Sequence, residues 1–164
     1  MPEVIANTSP IQYLFQLGLL DLLPDLYEHI TIPQAVCEEI DRGRMLGVSL
    51  PDLSALSWAR IATPRGLFLF SLTNGLGRGE LQVIALAKEI PDHLVLLDDR
   101  RARRFANLLG IRYTGTLGLL MKAKQTGLLD RLTPVCDHLV ECGFRLRPET
   151  CRAVLTMIGE WHDA

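Results

Sequence analysis

The chain has 164 residues, 48% of them hydrophobic and 22% charged, and a formal net charge of −2. That length and apolar content suit a single domain over residues 1–164 and exclude a disordered chain. The slightly negative charge excludes a protein that attracts nucleic acid over its whole surface, so any such binding must come from a local patch.

No apolar run approaches the roughly 20 residues of a membrane-spanning helix, and no basic segment followed by an apolar stretch opens the chain as a secretory signal would. Cys37, Cys136, Cys142 and Cys151 show neither CxxC nor Cys/His metal spacing. They read as reduced thiols, and the expected location is the cytoplasm.

In chain order, Val4 to Ala6 fits a buried strand, and Asn7-Thr8-Ser9-Pro10 a stop followed by a helix with Ser9 as N-cap and Pro10 in its first position. Gly18 closes that helix, and a leucine-rich segment from Leu19 to Tyr27 leads to a strand at Ile30-Thr31-Ile32. A helix is expected from Pro33 to Gly43. Residues 44–65 are ambiguous, and Pro51 and Pro64 argue against one long element there. Gly66 to Leu72 is a further apolar run of undecided type. Then come a helix Glu80–Glu89, a strand Leu94–Leu97, a helix Arg100–Leu109 capped by Gly110, a strand Ile111–Tyr113, a turn Thr114–Thr116 and a helix Leu117–Lys124. Helices at Pro134–Glu141 and Glu149–Gly159 complete the chain. Strands alternating with amphipathic helices predict an α/β fold with a mainly parallel sheet, and in such sheets function gathers at the carboxyl ends of the strands.

Polar or acidic groups stand where apolar elements stop, at Asn7, Glu38-Glu39, Glu80 and Asp98-Asp99. Unpaired charge is costly beside a core, so acids in such places call for a partner. In the helix from Pro33, Glu39 lies about 60° from the inward Val36 while Glu38 points to the opposite side. Glu80 shares the face of Val83, Ile84 and Ala87, although a helix N-terminus also favours an acid on electrostatic grounds alone. One of Asp98 and Asp99 serves as the cap of the following helix, which leaves the other to be explained. If the fold gathers these groups, they form an oxygen-ligand cluster suited to a hard divalent cation, with the amide of Asn7 at one corner.

Arg100, Arg101, Arg103 and Arg104 avoid the Ala102, Phe105, Ala106, Leu109 stripe and spread over the outward face of their helix. They form either a solvated surface or a set of forks for phosphate beside the acids. The histidines at 29, 93, 138 and 162 have no ligand or triad spacing. A dinucleotide site on Gly75-x-Gly77-x-Gly79 is disfavoured, because the spacing departs from GxGxxG and Glu80 puts negative charge where a pyrophosphate would dock.

Five motifs occur in order: Val4-Ile5-Ala6-Asn7-Thr8-Ser9-Pro10, Ile32-Pro33-x-x-Val36-x-x-Glu39, Gly77-x-Gly79-Glu80-x-x-x-Ile84-Ala85-Leu86-Ala87, Leu96-Leu97-Asp98-Asp99-Arg100 and Thr114-Gly115-Thr116-Leu117-Gly118. Together they resemble the PIN-domain superfamily, and within it a branch of PIN-like prokaryotic proteins predicted to bind nucleic acid. The resemblance spans nearly the whole chain, including Gly143-Phe144-Arg145-Leu146.

The resemblance implies a three-layer α/β/α sandwich with acidic residues converging at one sheet edge. It also implies kinship with VapC-type toxins of toxin–antitoxin pairs, which are Mg²⁺- or Mn²⁺-dependent ribonucleases and usually homodimers. RNA and a small antitoxin protein are the partners expected on that basis. Carried over, the catalytic positions fall on Asn7, Glu39, Glu80 and Asp98 or Asp99, with Glu39, Glu80 and the aspartates as metal ligands. Thr8, Ser9 and Thr114 become hydroxyls for a phosphate or a water, beside Arg100 and Arg104. Asn7 departs from the family pattern, because a neutral amide binds Mg²⁺ less strongly than a carboxylate. The alternative reading is a PIN-like module that binds RNA or a small protein without cutting.

Overall fold

The computed structural model describes residues 1–66 and 75–161. Its strands are β1 (Glu3–Ala6), β2 (Ile30–Pro33), β3 (Ala59–Ala62), β4 (His93–Leu96) and β5 (Tyr113–Thr114). The helices are α1 (Thr8–Gln16), α2 (Leu22–Tyr27), α3 (Gln34–Met45), α4 (Arg78–Glu89), α5 (Arg100–Leu108), α6 (Thr116–Gln125), α7 (Thr133–Glu141) and α8 (Pro148–Met157). Among the described residues the strands form one sheet in the order β3-β2-β1-β4-β5, and every pairing is parallel.

β2 is buried along its whole length and β1 along all but its first residue. Such runs arise only when both sheet faces are covered, which is the α/β sandwich expected from the sequence. The core is one continuous cluster built on Ile5, Ile32, Val36, Ile40, Ile84, Leu96 and Leu120. No helix among the described residues is long and apolar enough to cross a membrane.

Chain order runs outward from β1 to β2 and β3, then returns across the sheet to β4 and β5. The reversal opens a crevice at the carboxyl ends of β1 and β4, where α/β sheets bind their ligands. Register fixes what stands there. Ala6 pairs with Leu96, the Asn7 amide donates to Leu96 O at 3.0 Å, and the Leu97 amide donates to Thr114 O at 2.8 Å.

Several boundaries differ from expectation, each for a local reason. α1 begins at Thr8 with Asn7 in the cap position, so Ser9 lies inside the first turn and does not cap it. Pro33 ends β2, paired with Ala62, and does not begin the helix. α3 continues through Gly43, where a Cβ would fall 2.5 Å from Leu50 Cδ1, and closes at Gly47 with φ +84°. Ile111 is no strand residue: its amide donates to Ala106 O at 2.9 Å to tie off α5 beside Gly110 (φ +67°), so β5 starts two residues later. Within the ambiguous 44–65 stretch lie a 3-10 turn, Leu53–Ala55, and the edge strand β3. Most of the Gly66–Leu72 run, and His162, fall outside the described residues.

Candidate active site

Asn7 follows β1 in the middle of the sheet and is only 5% exposed. Its Oδ1 is buried and has no hydrogen-bond partner. A buried acceptor left unmatched costs about 1–3 kcal/mol, and such groups mark places where something else completes the structure. Thr8, next in the chain, donates its hydroxyl to Glu39 Oε2 at 2.6 Å. Ser9 is half-buried in the same turn.

Glu39 flanks the buried stripe of α3 formed by Val36 and Ile40. Its other oxygen, Oε1, accepts the Gly79 amide at 3.1 Å. A Cβ on Gly79 would sit 2.6 Å from that oxygen, so glycine is what allows α4 to begin against this carboxylate. Glu38 points away and pairs with Arg78 at 2.5 Å. Gln34 and Arg78 hold its carboxyl below the usual range.

Glu80 plays the two parts that the sequence left open. Its Oε2 accepts the Gly77 amide at 2.9 Å, as the third residue of α4 bonding back to the cap. Burial pushes its carboxyl above the ordinary value, and the charges of Asp99 and Glu39 push it further in the same direction. Glu80 on α4 thus feels one acid from α3 and one from the β4–α5 turn. The amides of Gly77 and Gly79 are bound to carboxylates, so neither is free for a pyrophosphate, and the dinucleotide reading falls on this observation.

The two aspartates have different surroundings. Asp99 caps α5, accepting the Ala102 amide at 2.8 Å, and is exposed. Asp98 has a side chain 12% exposed. It accepts the Thr116 amide at 2.8 Å and the Thr116 hydroxyl at 2.6 Å. Burial raises the Asp98 carboxyl, and Thr116 and Arg103 work against that rise. The hydroxyl that meets a site acid after β5 is therefore Thr116, which sequence reasoning passed over. Thr114 turns its hydroxyl toward Gly118. The signal for Thr116 was the second threonine of the Thr114-Gly115-Thr116 turn.

The four arginines of α5 do not act alike. Arg100, Arg101 and Arg104 line a cleft of about 380 Å³ together with Gly75, Glu80 and Asp99. Arg101 donates to Gly75 O at 2.9 Å. Arg103 leaves the outward face on which the sequence put it and turns toward the sheet edge, donating from Nε to Leu97 O at 2.7 Å.

The family model described as PIN domain matches residues 3–160, from the first strand to just beyond the last helix. The chain is a PIN-domain protein. No curated protein matches it in sequence. Of the residues assigned to the PIN site, the structure joins Thr8 to Glu39 and Glu39 to Gly79, the chain neighbours of Asn7 and Glu80, and sets Glu80, Asp99, Arg100 and Arg104 in one cleft. Asp98 stands across the β4 end, bound to Thr116.

The donor set of this PIN domain fits a hard divalent cation in chemistry, with oxygen atoms alone, a Glu80 carboxylate repelled by Asp99 and Glu39, and the unmatched oxygen of Asn7. Among the described residues no three acidic, histidine or cysteine side chains stand close enough to hold one ion as they are. Each acid bonds to a protein donor instead: Glu39 to Thr8 and Gly79, Glu80 to Gly77, Asp98 to Thr116, and Asp99 to Ala102.

Proposed function

We propose that this PIN-domain protein is a divalent-cation-dependent nuclease acting on single-stranded RNA at the crevice between β1 and β4. The observation that carries the reading is the buried, partnerless Oδ1 of Asn7 at the carboxyl end of β1, next in the chain to the Thr8 that holds Glu39. Glu39, Glu80 and one of Asp98 and Asp99 would hold Mg²⁺ or Mn²⁺, with Asn7 as a neutral fourth oxygen. When bound, the cation supplies a polarised phosphodiester and an activated water.

The chain's own residues do the rest. The Thr8 hydroxyl and the Gly79 amide orient Glu39. Thr116 fixes both oxygens of Asp98. Arg100 and Arg104, exposed on the cleft wall, hold the phosphates that flank the cut. The first turn of α1, whose N-cap position Asn7 occupies without a side-chain cap bond, turns amide groups and a partial positive charge toward the same edge. A toxin role, a small antitoxin partner and a homodimer belong to this proposal on the family resemblance alone.

A second reading is supported by the bonds from each acid to a protein donor, which suit a PIN module that binds RNA or a protein without cutting. Asn7→Asp separates the two. A charged oxygen at the β1 corner should tighten Mn²⁺ binding by calorimetry about ten-fold and bring cleavage of single-stranded RNA to lower metal concentration. Asp98→Asn should weaken both. If Asn7→Asp binds Mn²⁺ no better than the parent and neither cuts RNA, the binding-module reading replaces the nuclease.

A further inference from the structure

Arg103 is the α5 arginine that leaves the solvated face. On a helical wheel it lies about 60° from the buried Ala106, at the border of the apolar stripe. Its guanidinium is held on several sides. Nε donates to Leu97 O at 2.7 Å, Nη2 stands 3.7 Å from Asp98 Oδ1, and Cζ lies 5.3 Å from the centroid of the Tyr113 ring. The side chain is 35% exposed, whereas the neighbouring Arg100 and Arg104 are open to the cleft.

Gly115 accounts for the space this arginine occupies. A Cβ there would collide with Arg103 Nη2 and fall 2.7 Å from Asp98 Oδ1. The backbone of Gly115, at φ −102° and ψ −177°, is one that any residue adopts. Room for the guanidinium and the carboxylate, not conformation, is what requires glycine at this position. An arginine pinned by its Nε and stacked on a ring loses little freedom in meeting a carboxylate, so it acts as a fixed positive charge.

We propose that Arg103 is the resident counter-cation of the site. It compensates Asp98 while no metal is bound and competes with a divalent cation for that carboxylate, and so sets how tightly the cation is held. Arg103 is thus a positioning residue that works through Asp98 and touches no reacting atom. The inference rests on the proposed metal site. It accounts for a partly buried acid whose bonds are complete without metal: Thr116 supplies directed donors, and Arg103 supplies the charge.

The test is Mn²⁺ titration by calorimetry of the full chain and its variants, with thermal melts beside it. Arg103→Gln places an amide nitrogen where Nε stands, so the bond to Leu97 O can persist while the charge is lost. Arg103→Lys keeps the charge. Loss of a competing unit charge a few ångströms away should tighten Mn²⁺ binding about ten-fold or more in Arg103→Gln and leave Arg103→Lys within about three-fold of the parent. If Arg103→Gln does not fold, Arg103→Met, which keeps the stem against Tyr113, carries the same expectation.

A merely structural arginine predicts a lower melting temperature with Mn²⁺ affinity unchanged or weaker. That result, in a parent that binds Mn²⁺, overturns the role of Arg103 and leaves the metal site standing. A parent without measurable Mn²⁺ binding whose Gln variant acquires it supports the competition directly. Absence of binding in the parent and all variants overturns both.

Discussion

Replacement of Gly79 by alanine sets two physical effects against each other. Gly79 is the second residue of α4, and its conformation is ordinary for any residue, so alanine alone should stabilise the helix by about 0.5–1 kcal/mol. Here the added Cβ would meet Glu39 Oε1 at 2.6 Å, Oε2 at 2.9 Å and Cδ at 3.0 Å. The carboxylate must withdraw from it, stretching the 3.1 Å bond from the Gly79 amide and disturbing the 2.6 Å bond from Thr8. Hydrogen bonds to a charged group contribute about 1.5–3 kcal/mol, less where water can take over, as it can at half-buried Glu39. The balance is a net destabilisation of about 1 kcal/mol, or roughly 2–4 °C in melting temperature for a chain of this size. Mn²⁺ affinity should fall about ten-fold or more, because the lost bonds are those that aim a ligand. Urea denaturation and calorimetric titration measure the two quantities separately. An alanine variant that is more stable than the parent and binds Mn²⁺ equally well would refute the account of why glycine stands at 79.

Two further outcomes follow from the same geometry. Glu160, just beyond α8, accepts the amides of Leu132 and Thr133 at 2.7 and 2.8 Å and the Thr133 hydroxyl at 2.6 Å, with Lys124 at 3.5 Å. Burial alone would raise its carboxyl, but Thr133, Leu132 and Lys124 outweigh burial and hold it at about 2. A depressed carboxyl stabilises the fold above the unfolded value near 4.5 and loses that contribution as pH falls toward about 2. Glu160→Gln should therefore cost about 1–2 kcal/mol at pH 7, with the gap from the parent closing near pH 2; parallel melting curves at both pH values would contradict it. Glu80→Gln should raise the melting temperature of the metal-free protein by about 2–4 °C, since it removes a half-buried charge repelled by Asp99 and Glu39. The same variant should weaken Mn²⁺ binding, and a lower melting temperature with unaltered binding would mark Glu80 as a helix cap and nothing more.

What could be read along the chain is what local physics sets. Apolar runs ending in Asn7 and Asp98 located the carboxyl ends of β1 and β4. The 3.6-residue period placed Val36 and Ile40 inward with Glu39 at their border, and Glu80 on the face of Val83 and Ile84. Strand and helix alternation indicated the parallel α/β sheet, and five ordered motifs indicated the PIN family. The partner of each side chain lay beyond that reach, because the bonds that define the site join residues far apart: Thr8 to Glu39 across 31 positions, Gly79 to Glu39 across 40, and Thr116 to Asp98 across 18. Helical periodicity grouped Arg103 with the solvated arginines, since on the wheel a border position differs little from an outward one. Only the strand order, which sets Leu97 and Asp98 beside β5 and the start of α6, turned that guanidinium inward and made glycine necessary at 115. Period and punctuation are properties of neighbours in sequence, whereas the pairing of charge with charge depends on which strand ends the sheet brings together.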